Sequence, residues 1–320
     1  MAQDYTYIVA RLRALEAEMP DAGWFQRLVR TPVDGILPMV REHFHGFDQV
    51  ESLAGIETGL EAERKDFIDL LTRLLSESET VLFLRAGYDF DNALHAWKAA
   101  QLGREPVLTS AGLVEPEIVS KGVTEGGRGI LPEHIASLVE TLEERAERGG
   151  LTAAQYAGEA EKYRFLLGIA PGNAARDYTR RRIDLSNIGT LIRLKRTSLR
   201  AVETGNALLE GGMIGRDRFV TLLGEPEEEL YSFLHFSEYR RLLRWGLDQE
   251  TALWKMEDAS MRYLLEALEE SRLRFFDLSC LLYHVELRAR NESVTRTILV
   301  GKSNGIPEER ILERVETALS

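Results

Sequence analysis

Tyr88-Asp89-Phe90-Asp91-Asn92-Ala93-Leu94 and Ile183-Asp184-Leu185-Ser186-Asn187-Ile188-Gly189 carry the same order of chemistry. In each, an acid precedes an asparagine by three positions and basic residues follow, Lys98 after the first and Arg193 with Lys195 after the second. A fainter third copy is Arg288-Ala289-Arg290-Asn291, followed by Ile298 and Lys302, with Arg288 standing where the acid would be. The three asparagines lie 95 and 104 residues apart. Beyond each comes a glycine that leads into a short apolar helix start: Gly112-Leu113-Val114, Gly212-Met213-Ile214 and Gly305-Ile306. Self-similarity at a roughly fixed period is the mark of a repeated supersecondary unit. The chain therefore reads as three diverged copies of one helical module, spanning 1–105, 106–208 and 209–320.

Spacings of three and four place each asparagine on a helical stripe. Tyr88, Asn92, His95, Ala99 and Leu102 share one face; Ile183, Asn187, Leu191 and Leu194 share another; His284, Leu287, Asn291, Val294 and Ile298 a third. An amide on a mainly apolar stripe belongs at a buried helix–helix contact. There it must be hydrogen-bonded, and it can fix which pairing the helices choose. Asn92, Asn187 and Asn291 are thus expected as structural polar residues between helices, with Asp89 and Asp184 as N-caps or first-turn acids.

Helical periodicity dominates elsewhere too. Ile8, Leu12, Leu15 and Met19 form one stripe that stops at Pro20-Asp21, and Phe67, Leu70, Leu71, Leu74 and Leu75 form another. Ile311, Leu312, Val315 and Leu319 make a last one, opened by Pro307, with Glu308 and Glu309 placed to complement the helix dipole. Ser76 to Phe83 has the best claim to be a strand, but it is isolated. The expected fold class is all-α.

Composition narrows the partners. Hydrophobic residues make up 44% of the 320 and charged residues 29%, a globular balance. The net charge of −12 opposes general binding to nucleic acid or to anionic membranes, because the long-range field repels both. Against that background Arg176, Arg180, Arg181, Arg182, Arg193, Lys195, Arg196 and Arg200 form a basic run interrupted only by Asp177 and Asp184. It reads either as a solvated helix flank or as a docking face for an acidic partner or lipid headgroups; Arg180, Arg181, Arg182, Arg193 and Lys195 are the candidate interface. Cys280, the sole cysteine, sits in Leu278-Ser279-Cys280-Leu281-Leu282, where a buried inert thiol and a reducing cytoplasm are expected. Residues 1–13 do not read as a signal peptide, and no apolar run approaches the ~20 residues that span a bilayer. Membrane contact is therefore expected only through a partner.

Chemistry-bearing patterns are poor. Val300-Gly301-Lys302-Ser303 resembles the end of a phosphate-binding loop, but Arg296 occupies the place of the first required glycine. His43-Phe44-His45 with Asp48 offers imidazoles and a carboxylate without an evident orienting shell. Asp89, Asp91 and Asn92 could supply oxygen ligands to Mg²⁺, yet no second acidic cluster faces them in the sequence. Gly126-Gly127-Arg128-Gly129 leads to Pro132 and reads as a loop. No catalytic group, metal or cofactor is expected.

Taken in order, several segments resemble the C subunit of archaeal and bacterial V/A-type ATPases, which is similar to the d subunit of the eukaryotic vacuolar pump. They are Tyr7-Ile8-Val9-Ala10-Arg11-Leu12-Arg13-Ala14-Leu15-Glu16, Arg182 to Ile188 with Leu191 to Lys195, Glu210-Gly211-Gly212-Met213-Ile214, Glu286 to Asn291, and Leu299 to Pro307 with Arg310 to Arg314. Residues 101–160 match that pattern poorly. The resemblance implies three similar helical domains arranged as a funnel, capping the cytoplasmic face of a membrane proteolipid ring. It implies central-stalk subunits D and F docked in the funnel, and a rotor piece that holds no nucleotide. Two other readings stand beside it: a helical scaffold unconnected with ion pumping, and an all-α Mg²⁺-dependent enzyme using Asp89 and Asp91. The common α-solenoids repeat every 34 to 47 residues, roughly half the period here, which counts against the scaffold.

Overall fold

Helix starts in this chain are set by short polar or proline signals. Asp21 accepts the Trp24 N–H at 2.6 Å and caps α2 (Ala22–Arg30). Prolines 32, 132 and 226 stand immediately before α3 (Val33–Val40), α7 (Glu133–Ile169) and α10 (Glu227–His235), where a missing N–H leaves nothing unpaired. The structure, a computed structural model, describes residues 6–75, 79–124, 127–196, 207–245, 253–270 and 278–319. The remaining elements are α1 (Thr6–Ala17), α4 (Ile56–Leu75), α5 (Glu79–Gln101), α6 (Pro116–Thr124), α8 (Gly172–Arg196), α9 (Arg216–Gly224), α11 (Arg240–Arg244), α12 (Leu253–Glu269), α13 (Ser279–Ser303) and α14 (Glu308–Leu319), with three single 3₁₀ turns. Among the described residues there is no strand, so the fold is all-α. Ser76 to Phe83 is not a strand: from Glu79 onward it is the first turn of α5, and residues 76–78 lie outside the described residues.

Packing divides the chain into two compact units, Met1–Leu70 with Glu238–Ser320, and Leu71–Ser237. In the first unit the two ends of the sequence share a core. Trp24, Phe25, Leu28 and Val29 of α2 pack in one cluster with Val294, Ile298 and Leu299 of α13 and with Ile311 and Val315 of α14. Each such side chain contributes about 1.5–3 kcal/mol by leaving water. The stripes read from Ile8 and Ile311 are the buried faces of α1 and α14.

In the second unit α5 lies against α6 and α7, with Phe90, Ala93, Leu94 and Trp97 packed on Ile135, Leu138, Val139 and Leu142. α7 is broken at Gly150, where φ of +73° is open to glycine at no steric cost. The break creates two arms. Gly158 on the second arm lets it approach Leu142 and Leu94; a Cβ there would stand 3.0 Å and 3.3 Å from their methyls.

Candidate functional site

The repeated Asp and Asn act on loops. On α5, Asp89 is buried and accepts the Val114 N–H at 3.0 Å, while Asn92 closes a two-way bond with the backbone of Thr109, its Nδ2 donating to Thr109 O at 2.7 Å and its Oδ1 accepting Thr109 N–H at 2.9 Å. On α8 the arrangement recurs. Asn187 donates to Leu209 O at 3.0 Å and accepts Leu209 N–H at 2.7 Å; Asp184 accepts Met213 N–H at 3.0 Å and Ile214 N–H at 3.1 Å. The asparagine pins the chain three residues before the glycine, and the aspartate pins the amides just past it.

An arginine one turn before each aspartate completes the clamp. Arg85 donates to Ala111 O at 3.1 Å and to Gly112 O, and Arg180 donates to Gly212 O at 3.3 and 3.1 Å. Glycine is required at 112 and 212 because a Cβ at either would overlap the carboxylate of Asp89 or Asp184. Loop backbone groups that would otherwise be unpaired are thereby satisfied.

Two expectations change accordingly. Asp89 and Asp184 sit in the middle of their helices, so they are neither N-caps nor first-turn acids. Asn92 and Asn187 are buried and hydrogen-bonded, but their partners are loop backbone groups rather than a facing helix. On α5 this shows in the stripe itself: Asn92 is covered by the loop, while His95 and Leu102 on the same face are exposed. On α8, Ile183, Asn187, Leu191 and Leu194 are all buried, as the spacing predicts.

The third copy keeps the asparagine and loses the clamp. His284, Arg288 and Asn291 of α13 occupy the places of arginine, aspartate and asparagine; the first and last are buried and Arg288 is half-buried. Arg288 stands 3.6 Å from Glu63 of α4 and 4.6 Å from the Phe67 ring centroid. Glu63 in turn accepts the Gly46 N–H at 2.7 Å, so a carboxylate still holds a loop amide, but the loop is a different one. Burial raises the Glu63 pKa against the opposing pull of Gly46 and Arg288. His284 is pushed down to about 3 by burial and by Arg288, so it is neutral, and among the described residues its Nε2 has no hydrogen-bond partner. Asn291 Oδ1 accepts from Arg290 at 3.3 Å.

The metal and nucleotide patterns are dispersed. Asp91 pairs with Lys162 at 2.8 Å on α7, while Asp89 and Asn92 serve the loop, so the three oxygens do not converge. His43 Nδ1 lies 2.7 Å from Glu18 O, its ring edge-on to Trp24. Among the described residues no group of three or more His, Cys, Asp or Glu could hold a metal ion. Val300 to Ser303 is the last turn of α13, helical rather than a loop. Gly127 leads a 3₁₀ turn whose Arg128 pairs with Glu143; Gly126 lies outside the described residues. Cys280 is buried and forms no disulfide.

The basic run divides by role. Arg180 belongs to the second clamp. Lys195 donates to Leu223 O at 3.4 Å and to Glu225 O, and Arg196 pairs with Glu227 at 3.3 Å. Arg182 stacks on Tyr178 and donates to its hydroxyl at 2.8 Å, yet it remains exposed, as does Arg193, while Arg181 is half-buried. Arg200 lies outside the described residues.

Long helix, clamped glycine loop and short helix, repeated along the chain, define an all-α protein whose polar interior residues serve architecture. The chain belongs to the ATP synthase (C/AC39) subunit family, whose profile matches residues 8–314, including the stretch from 101 to 160. It is 24% identical over 332 aligned residues to the C subunit of the A-type ATP synthase of Desulfurococcus sp. (strain SY), covering 97% of this chain and 90% of that one. The resemblance read from the sequence therefore holds: this is a subunit of the V/A-type ATP synthase class. No helix among the described residues is long and apolar enough to cross a membrane.

Proposed function

We propose that this chain is the non-catalytic rotor piece that seats the central stalk of a V/A-type rotary ATPase on its membrane proteolipid ring. Subunits D and F are its stalk partners, and it lies at the cytoplasmic face of the membrane, touching lipid only through the ring. In this reading three modules, 1–105, 106–208 and 209–320, form a funnel, and torque from ATP hydrolysis or ion flow passes through them without a covalent step. The family match over nearly the whole chain carries the proposal. The clamped loops support it, because a part that transmits torque must not yield where loops face partners. Interiors at crystal-like density with satisfied polar groups deform little. Exposed Arg182 and Arg193, with Arg181, remain the candidate docking residues of the basic run. Affinity purification of the tagged chain from native membranes tests the reading: proteolipid and stalk subunits are expected in the eluate. A chain that elutes alone, or with soluble proteins unrelated to the ATPase, would point instead to a scaffold.

A further inference from the structure

Within the second unit the break at Gly150 opens a groove of about 840 Å³ between the two arms of α7 and the segment 208–216. Its floor is unusual. The second arm turns Ala154 and Gly158 into the core, and turns Ala153, Ala157 and Ala160 toward the groove. Its rims are basic: Arg145 and Arg148 from the first arm, Arg164 from the second, Arg216 from across the opening. Two carboxylates also line it, and both are matched already, Glu161 by Arg164 at 2.7 Å and Glu210 by Arg216 at 3.7 Å. Arg148 is held by Glu144 at 2.8 Å, outside the lining. Arg145 has no ion-pair partner among the described residues. In a chain of net charge −12 this slot sets four arginines against two carboxylates, over a bed of alanines flanked by Tyr156, Leu167 and Leu208.

We propose that the groove receives about two turns of an acidic α-helix from another subunit of the complex, an inference that rests on the function proposed above. Size is the first argument. The bed from Ala153 to Ala160 is about 10.5 Å long, close to the rise of two helical turns. Shape is the second: small side chains let a second helix backbone approach closely, as grooves that accept amphipathic helices do. Charge is the third. Guanidinium groups on both rims match carboxylates on both flanks of one incoming helix, and Arg145 is available without breaking an existing pair.

Site-directed crosslinking in the assembled ATPase tests this. Ala157→Cys in a Cys280→Ser background, labelled with a benzophenone maleimide and irradiated, is expected to join a helical, acid-rich peptide of another subunit. Arg145→Glu with Arg148→Glu, and separately Ala153→Trp, each combined with the label at 157, should lower that yield roughly tenfold or more, while the variant chains keep their helical circular dichroism. An adduct confined to this chain, or a yield indifferent to both variants, overturns the inference and leaves the rotor role standing. If the labelled chain never assembles although the unmodified chain does, exposed Glu316→Cys in the same background serves as the assembly control. Assembly with that label but not with the one at 157 means the groove is occupied. Failure of the unmodified chain to assemble at all overturns the rotor reading itself. A thermal shift with inorganic pyrophosphate that Arg145→Ala abolishes, without any crosslink, would make the groove an anion site and end the helix proposal.

Discussion

The loops after α8 and after α13 are built from the same sequence positions and held in different ways. In the second copy Arg180, Asp184 and Asn187 spend all three side chains on one loop, bonding directly to the backbone of Leu209, Gly212, Met213 and Ile214. In the third copy His284, Arg288 and Asn291 do not reach the following turn, which is closed locally by Asn304 Nδ2 donating to Val300 O at 2.8 Å and by Ile306 N–H donating to Gly301 O at 2.9 Å. A short loop closes itself with its own backbone. A long one needs side chains reaching out of the helix, since its amides have no regular partners. What repeats is thus the asparagine on its stripe; what differs is the length of chain it must govern.

The largest expected effect breaks the second clamp outright. Asp184→Ala leaves the amides of Met213 and Ile214 without their charged acceptor, and hydrogen bonds to charged groups contribute about 1.5–3 kcal/mol each. Urea unfolding should show a loss of about 3–5 kcal/mol. Arg288→Ala at the matching position of the third copy should lose less, because Glu63 can take up a proton as its raised pKa already favours. Equal losses at the two positions would erase the distinction drawn between the copies.

A second test sets the first clamp against the second. Among the described residues Asp89 Oδ2 has no hydrogen-bond partner, and burial raises the carboxyl to about 6 even though the amides of Val114 and Leu113 and the charge of Arg85 pull it down. In the unfolded chain an aspartate titrates near 3.9. The folded state therefore holds its proton more tightly, so stability is greatest below the unfolded value and declines as pH rises from about 4 to about 6. The decline should be on the order of 2–3 kcal/mol. Asp89→Asn should flatten that slope in unfolding experiments at about pH 4, 5, 6 and 7. A wild-type slope that survives the substitution would show that another group carries it.

Removing an asparagine should do less. Asn187→Ala strands the N–H and C=O of Leu209, with an expected loss of about 2 kcal/mol, and amide exchange at Leu209 should quicken. Asn291→Ala should fall nearer to about 1 kcal/mol, since its Oδ1 accepts only a long bond from a neighbouring residue.

Much of this contrast is legible in the sequence, and the unread part has a physical reason. Spacing places Asn92, Asn187 and Asn291 at buried positions and marks Gly112 and Gly212 as special. It points to a facing helix because side-chain periodicity reports which face is buried and is silent about what buries it. The true partners of the first two are backbone groups of Thr109 and Leu209, which carry no residue signature. Arg85 and Arg180 are visible, each four positions before its aspartate, yet Arg180 is absorbed into a basic run where charge density masks its register. The groove along α7 is less legible still. It depends on Gly150 breaking what is otherwise one helical pattern, and on arginines of three segments meeting through the fold.

The smallest expected effect on stability separates architecture from docking inside that same basic run. Arg180 and Arg182 are two residues apart, but one guanidinium closes a clamp and the other, on an exposed side chain, lies over the Tyr178 ring and donates to its hydroxyl. Arg180→Ala should destabilise by about 1–2 kcal/mol through the lost partner of Gly212 O. Arg182→Glu with Arg193→Glu should change stability by about 1 kcal/mol or less, the Arg182 bond to the Tyr178 hydroxyl being made by an exposed side chain. If these two residues face an acidic subunit, the double reversal should nevertheless release the chain from the complex at lower salt, because rim charges act on association through a screened field. Retention at every salt concentration, with stability unchanged, would reduce the exposed half of the run to a solvated flank and leave Arg180 as the only member of that pair with a task.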